Sequence, residues 1–350
     1  MSSQSTHAAA QLDVDTVERY LTQHVPGFRG PLSFEKTPTG QSNPTFILTA
    51  GSGRYVLRRK PPGELLKSAH AVDREFRVQS ALAATDVPVA RMLHLCEDEG
   101  VLGSIFYVME CVDGAVHFDP RLPDKEPAMR GAMFDEMNRV LAALHDVDYA
   151  AIGLGDYGRP GSYFVRQVGR WTKQYRASET GTIADMDDLI AWLEDNMPAD
   201  DGITTLVHGD YRIDNMIYGP DGRVRAVLDW ELSTLGHPYS DLAYQCMQWR
   251  MPVGEEGRGL GETDRAAMGI PTEEAYVARY CERRGLSGIP IFDFCVAFSF
   301  FRMAAIVQGV KKRGLDGNAS NPERAARMGT YVPTFAAKGL EAAKGKGVAP

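Results

Sequence analysis

"LVHGDYRIDNMIYGPDGRVRAVLDWE", Leu206 to Glu231, sets three oxygen-bearing side chains, Asp210, Asn215 and Asp229, among apolar residues that a folded chain would bury. Leu206 and Val207 form a short apolar segment, and His208-Gly209-Asp210 leaves it to enter a loop. Asn215 closes that loop, and "NMIY" begins a strand. "GPDG", Gly219 to Gly222, is a strong turn signal. "RVRAVLD" returns with Val224, Ala226 and Leu228 alternating, as in a half-buried strand. A hairpin brings its open ends together. Asn215 and Asp229 are therefore expected at matching ends, with Asp210 entering from the loop.

That cluster suits phosphoryl transfer. The reaction needs a carboxylate to orient the attacking hydroxyl and accept its proton, and oxygen ligands to hold Mg²⁺ on nucleotide phosphates. A His-x-Asp-x-x-x-x-Asn loop followed by a later Asp is the protein-kinase arrangement of those parts. Asp210 is then the expected base, and Asn215 and Asp229 the expected magnesium ligands. Taken singly, each of these residues reads more simply as a turn cap. Asp221 reads as nothing else, Asp214 as a solvated turn residue, and His208 as a packed structural histidine. The three side chains together, at this spacing and around a hairpin, favour the chemical reading.

These segments resemble the aminoglycoside phosphotransferase family of kinase-like enzymes. "HGDYRIDN" matches the family's catalytic loop, "VLDWE" its metal-binding Asp segment, and "GHPYSDLAY" the Gly-x-Pro-x-x-Asp-Leu-Ala stretch that follows. The resemblance runs from about Leu32 to Arg313. The longer pattern "YVLRRKPPG…SAHAVDREFRVQSAL" is most similar to the kinase-like domain attached to certain acyl-CoA dehydrogenases. The resemblance implies an α+β, bilobal protein-kinase-like fold, ATP and Mg²⁺ as cofactors, and transfer of the γ-phosphate to a hydroxyl of a small molecule. It points to a hydroxyacyl-CoA-like metabolite ahead of an aminoglycoside. The alternative is a nucleotide-binding pseudokinase without transfer; a metal-dependent phosphoesterase would leave the kinase-like front without purpose.

The front of the chain accommodates that implication. Val14, Val17, Tyr20 and Leu21 have helical spacing. "TFILTAG" and "RYVLRRK" read as strands joined at Gly51-Ser52-Gly53. "AHAVDREFRVQSALAA" reads as a helix, and "ARMLHLCED" and "SIFYVMECVDG" as two more strands. Residues 1–11 read as a disordered tail, 12–112 as a small β-rich N-lobe, and 113–350 as a larger, mainly helical C-lobe. In "TPTGQSNPTFIL", Gly40, Gln41, Ser42 and Asn43 can offer N–H groups and short polar side chains to phosphate. The family's third-strand lysine position falls on Arg58. Arg58 and Lys60 share a strand face, so either could reach the phosphates, with Arg58 favoured by register and Glu75 as its helix partner. Arg59 and Lys60 also read as a solvated basic run. "FYVMECVDG" resembles the interlobe hinge, which sets Met109 beside the adenine and the backbone of Glu110 and Val112 within its hydrogen-bonding reach. Asp241 reads as a structural loop anchor.

Composition limits the remaining possibilities. The 350 residues carry a formal net charge of -8, which argues against a nucleic-acid partner, since that function needs a clustered basic patch. The five cysteines are dispersed and read as reduced. No signal-peptide pattern opens the chain, and Asp293 and Arg302 interrupt its most apolar run, Ile291 to Val310. A cytoplasmic location without a membrane partner is expected. "AMRGAMFDEMNRVLAALHDVD" sets Met129, Met133, Met137, Val140, Leu141 and Leu144 along one helical face, a core stripe. Acceptor contacts are expected from the rear insertions, with Arg250, Arg302 and Trp249 as candidates for an anionic acyl or carboxylate substrate.

Overall fold

The computed structural model describes residues 12–37, 43–61, 71–254, 259–319 and 321–345. The expected tail, Gly40, Gln41 and Ser42 lie outside the described residues. The chain forms two compact units. The first comprises residues 1–115, 217–219 and 225–232, and the second comprises 116–216, 220–224 and 233–350.

The first unit is built on a five-stranded antiparallel sheet. Helix α1, Val14–His24, precedes β1, Ser33–Lys36, β2, Thr45–Ala50, and β3, Gly53–Arg59. Then come α2, Val72–Leu82, β4, Met92–Cys96, the short α3, Glu99–Leu102, and β5, Phe106–Glu110. The strand order is β1-β2-β3-β5-β4. The Asp13 carboxylate caps α1 by accepting from the Thr16 N–H at 3.3 Å. Val17 and Leu21 of α1 bury against Phe46, Leu48, Leu57, Phe106 and Val108. A second cluster gathers Val72, Ala90, Tyr107 and Met109, with Val56 and Phe76 packed against it. Period-two alternation therefore divides β3: Leu57 and Arg59 are buried on one face, and Arg58 shares the other with Val56.

Arg59 departs from the solvated basic run. It is buried, its guanidinium lies 5.7 Å from the Phe46 ring centroid, and it donates to the Leu102 carbonyl at 3.3 Å. Strand β1 escaped the sequence reading because "SFEK" has no alternation to reveal it and lies at the sheet edge.

The second unit is mainly helical. Its elements begin with α4, Pro127–Asp146, α5, Tyr163–Ser178, and α6, Ala184–Asp195. Strand β6, Thr205–Val207, follows. Strands β7, Met216–Tyr218, and β8, Val224–Val227, form the expected hairpin, its residues divided between the units. Strand β9, Thr234–Gly236, pairs antiparallel with β6 and is too short for a sequence signal. The rest is α7, Tyr239–Arg250, α8, Arg265–Met268, α9, Glu273–Arg284, α10, Phe292–Leu315, α11, Pro322–Gly329, and α12, Val332–Ala343. The methionine stripe of α4 is core, with Met133, Met137, Val140, Leu141 and Leu144 all buried. Helix α10 is long and apolar enough to cross a bilayer, yet 78% of its most apolar window is buried within the protein. It packs on α5, α7, α11 and α12.

Candidate active site

In the second unit, β6 delivers the chain into the loop at His208. Two N–H groups of the loop, those of His208 and Gly209, donate to the Asp241 carboxylate at 2.6 and 2.8 Å. Asp241 stands in the first turn of α7 and is fully buried. It is the anchor its sequence context suggests, although it sits on a helix. Burial pushes its carboxyl up, but His145 and the Gly209 N–H outweigh that and hold it below the usual range. The Asp210 N–H donates back to His208 Nδ1 at 3.2 Å, so His208, wholly buried, shapes the turn as expected. Gly209 has φ +84, a left-handed conformation that a side chain would strain. Asp241→Ala would strand two buried donors, at roughly 1–3 kcal/mol each. A loss of about 2–6 kcal/mol in urea unfolding is expected, and an unchanged midpoint would remove Asp241 from the anchoring role.

The loop presents Asp210 with both carboxylate oxygens engaged. Tyr244, three residues beyond Asp241 on α7, donates its hydroxyl to Asp210 Oδ1 at 2.5 Å. Asn215 donates Nδ2 to Asp210 Oδ2 at 2.9 Å and to the Asp210 carbonyl at 2.9 Å. With its nitrogen committed, the Asn215 amide oxygen is the group left for a cation. Arg212 Nε lies 3.4 Å from Asp210 Oδ1 and 3.2 Å from Asp214 Oδ1. Asp214 is thus a buried ion-pair partner and not a solvated turn residue. Asp221 does cap its turn, accepting from the Arg223 N–H at 3.2 Å.

A cavity of about 170 Å³ is lined by Tyr244, whose hydroxyl holds Asp210, and by Met247, Met303, Val307, Phe335 and Arg324 among others; Asp210 itself is not in the lining. Arg212 also lines it. The acceptor candidates named from sequence lie elsewhere. Arg250 is tied to Glu273 at 2.9 Å, Trp249 donates to the Pro271 carbonyl at 2.8 Å, and Arg302 is buried against the loop. None of the three lines the cavity.

In the first unit, Arg58 gathers three carboxylates. Its Nε lies 3.0 Å from Glu75 Oε2, and one terminal nitrogen lies 2.8 Å from Asp229 Oδ1 and 3.7 Å from Glu231 Oε2. Asn43 donates Nδ2 to Glu75 Oε1 at 2.9 Å, and the Tyr107 hydroxyl donates to Glu75 Oε2 at 3.2 Å. Burial pushes the Glu75 carboxyl up to about 7, against the pull of Arg58. Burial would likewise lower Arg58, but Glu75 and its other neighbours outweigh it and hold the guanidinium above its usual range. Lys60, one residue past β3, has no ion pair among the described residues; its backbone N–H donates to the Ile105 carbonyl at 3.0 Å. Met109 is buried in β5, and the Glu110 N–H donates to the Arg91 carbonyl at 3.0 Å. Val112 packs against the same cluster as Met109.

Asp229 lies two residues past the end of β8 and adopts φ +62. Left-handed backbone on a non-glycine residue costs energy and concentrates at functional positions. Its Oδ1 meets Arg58. Carboxylate and amide oxygens, as Asp229 and Asn215 offer, are the hard donors that Mg²⁺ takes. Sequence reasoning missed Tyr244 and Glu231. The signal for Tyr244 was available: it follows the anchor Asp241 by one helical turn, on the same face.

The sequence profile of the phosphotransferase enzyme family matches residues 33–280. Among curated proteins, the chain is 47% identical over 310 residues to mouse acyl-CoA dehydrogenase family member 10, covering 88% of this chain and 29% of that protein. It is 41% identical over 340 residues to human acyl-CoA dehydrogenase family member 11, covering 95% of this chain and 43% of that one. The chain therefore spans less than half the length of these relatives. A solved Ralstonia eutropha chain, provisionally named an aminoglycoside phosphotransferase, superimposes with a TM-score of 0.88. It is 51% identical and covers 95% of this chain and 99% of its own length. Aminoglycoside phosphotransferase APH(4)-Ia, in a ternary complex with AMP-PNP and hygromycin B, shares the fold at 16% identity. Its TM-score is 0.62, with 93% and 98% of the two chains covered. The fold is thus the α+β, kinase-like fold of aminoglycoside phosphotransferases.

Proposed function

The chain belongs to the phosphotransferase enzyme family, and from that premise we propose that it transfers the γ-phosphate of ATP to a hydroxyl of a small acyl metabolite. The observation that carries this reading is the Asp210 carboxylate, held by Asn215 and by Tyr244, a residue that also lines an apolar cavity. An alcohol reaching Asp210 would give up its proton to the carboxylate as its oxygen attacks the terminal phosphorus, and the bond to the departing ADP would break. Asn215 and Asp229 would hold Mg²⁺, which supplies charge neutralisation on the phosphates when bound. Arg58, kept in place by Glu75 and Asn43, would neutralise phosphate, and the backbone of Glu110 and Val112 would meet the adenine beside Met109.

The cavity supports this acceptor class. Methionine, valine and phenylalanine walls favour an aliphatic chain, and Arg212 and Arg324 favour an anionic group on it. A polycationic aminoglycoside would want carboxylates there instead. The names of the relatives, acyl-CoA dehydrogenase family members, agree with a hydroxyacyl-CoA-like acceptor. A cavity of about 170 Å³ holds only a short apolar segment.

The test is ADP release with MgATP and a panel of hydroxyacyl-CoAs, hydroxy acids and aminoglycosides. Stimulation by hydroxyacyl compounds is expected. ATP binding without stimulated release by any of them would favour the pseudokinase reading, which Arg58 at the lysine position motivates. The phosphate-binding role is separable: Arg58→Ala is expected to weaken MgATP affinity more than Lys60→Ala in calorimetric titration, and the reverse order transfers the role to Lys60.

A further inference from the structure

The buried arginine of α10 has no carboxylate partner among the described residues. Arg302 is 7% exposed, and the ion pairs formed by the described residues do not include it. A buried guanidinium normally keeps an acid beside it. Here one terminal nitrogen donates to the Gly209 carbonyl at 2.6 Å, and the guanidinium lies 5.4 Å from the Tyr244 ring centroid and 5.7 Å from that of Trp171. A carbonyl and two aromatic faces take the place of the anion.

The partners give this arrangement a purpose. Gly209 immediately precedes Asp210, and Tyr244 is the residue whose hydroxyl holds Asp210 Oδ1. A left-handed glycine next to a catalytic side chain is a free rotor unless something grips it. The loop is gripped on both edges. Asp241 takes the N–H groups of His208 and Gly209, and Arg302 takes the Gly209 carbonyl. Both come from α7 and α10, two long helices packed on each other. Arg302 then braces the ring of Tyr244, which in turn aims the carboxylate. Lysine could not do both, because its ammonium lacks the flat fork that stacks on a ring while donating in its own plane.

We propose that Tyr244 and Arg302 are positioning residues, a two-tier brace that fixes the Asp210 carboxylate for proton acceptance. This rests on the reading of Asp210 as the base. The brace acts on the reacting carboxylate and not on nucleotide binding, so its loss should appear in turnover and not in MgATP affinity. A purely structural role would instead lower stability and leave turnover intact.

The experiment compares the full chain with Tyr244→Phe, Arg302→Lys, their double variant and Asp210→Ala. Acceptor-independent MgATP hydrolysis, with water in place of the alcohol, is read as ADP release beside urea unfolding and MgATP affinity. Tyr244→Phe keeps the ring and the cavity wall and removes only the hydroxyl. It is expected to lower the hydrolysis rate by roughly tenfold or more with MgATP affinity unchanged, as displacement of a reacting group does. Arg302→Lys is expected to act in the same direction. The double variant should be no slower than the slower single, because both changes free the same carboxylate. If Arg302→Lys does not fold, Tyr244→Phe alone decides. Wild-type hydrolysis by Tyr244→Phe while Asp210→Ala is slow overturns the brace and leaves the base standing. Wild-type hydrolysis by Asp210→Ala removes the base, and the brace falls with it.

Discussion

Asp210→Ala is expected to bind MgATP as the parent does and to lose turnover by roughly 10²- to 10⁴-fold, the range general bases contribute. The carboxylate is held by neighbours that belong to the same unit, Asn215 and Tyr244; of the residues assigned to MgATP it touches only Asn215, and through the amide nitrogen, not the oxygen assigned to the metal. Its removal should therefore separate chemistry from binding. Calorimetry measures the binding and a coupled ADP assay the turnover. Unchanged ADP production would exclude Asp210 as the base. Loss of MgATP affinity in step with turnover would mean that the carboxylate holds the nucleotide as well.

Asp229→Ala is expected to remove the magnesium-dependent part of nucleotide affinity, a weakening of at least about tenfold, in the range typical of lost metal-site groups. The variant should still fold. Arg58 would lose one of three carboxylate neighbours but keep Glu75 at 3.0 Å, so the pair that organises the first unit persists. The measurement is ATP affinity with and without Mg²⁺, in parent and variant. A parent protein that binds ATP equally well in both conditions would defeat the assignment of Asp229 to the metal.

Legibility in the sequence followed contiguity. The loop from His208 to Asn215 and the hairpin beyond it could be read because their parts adjoin, and turn residues with period-two alternation give them away. Asp241 was readable as an anchor for the same reason. Tyr244 and Arg302 were not assigned to the loop, because α7 and α10 are buried on nearly every side and periodicity cannot say which face meets what. Asp214 and Arg59 were misread for the converse reason. A charge beside polar neighbours looks solvated until Arg212, or Phe46 with Leu102, closes over it. The Arg58–Asp229 pair joins residues 171 positions apart, a separation no local pattern reports. The Arg58–Glu75 pair was anticipated only through the resemblance to kinase-like enzymes.

The left-handed backbone at Asp229 reorders the ranking of its replacements. Ordinary similarity tables put glutamate first, since it preserves the charge. At φ +62 that ranking inverts: asparagine and glycine inhabit the conformation cheaply, whereas glutamate must also carry its longer side chain there. On backbone cost alone the amide should thus be admitted before the longer acid, and a homologue bearing asparagine here would have surrendered a charge while keeping its shape.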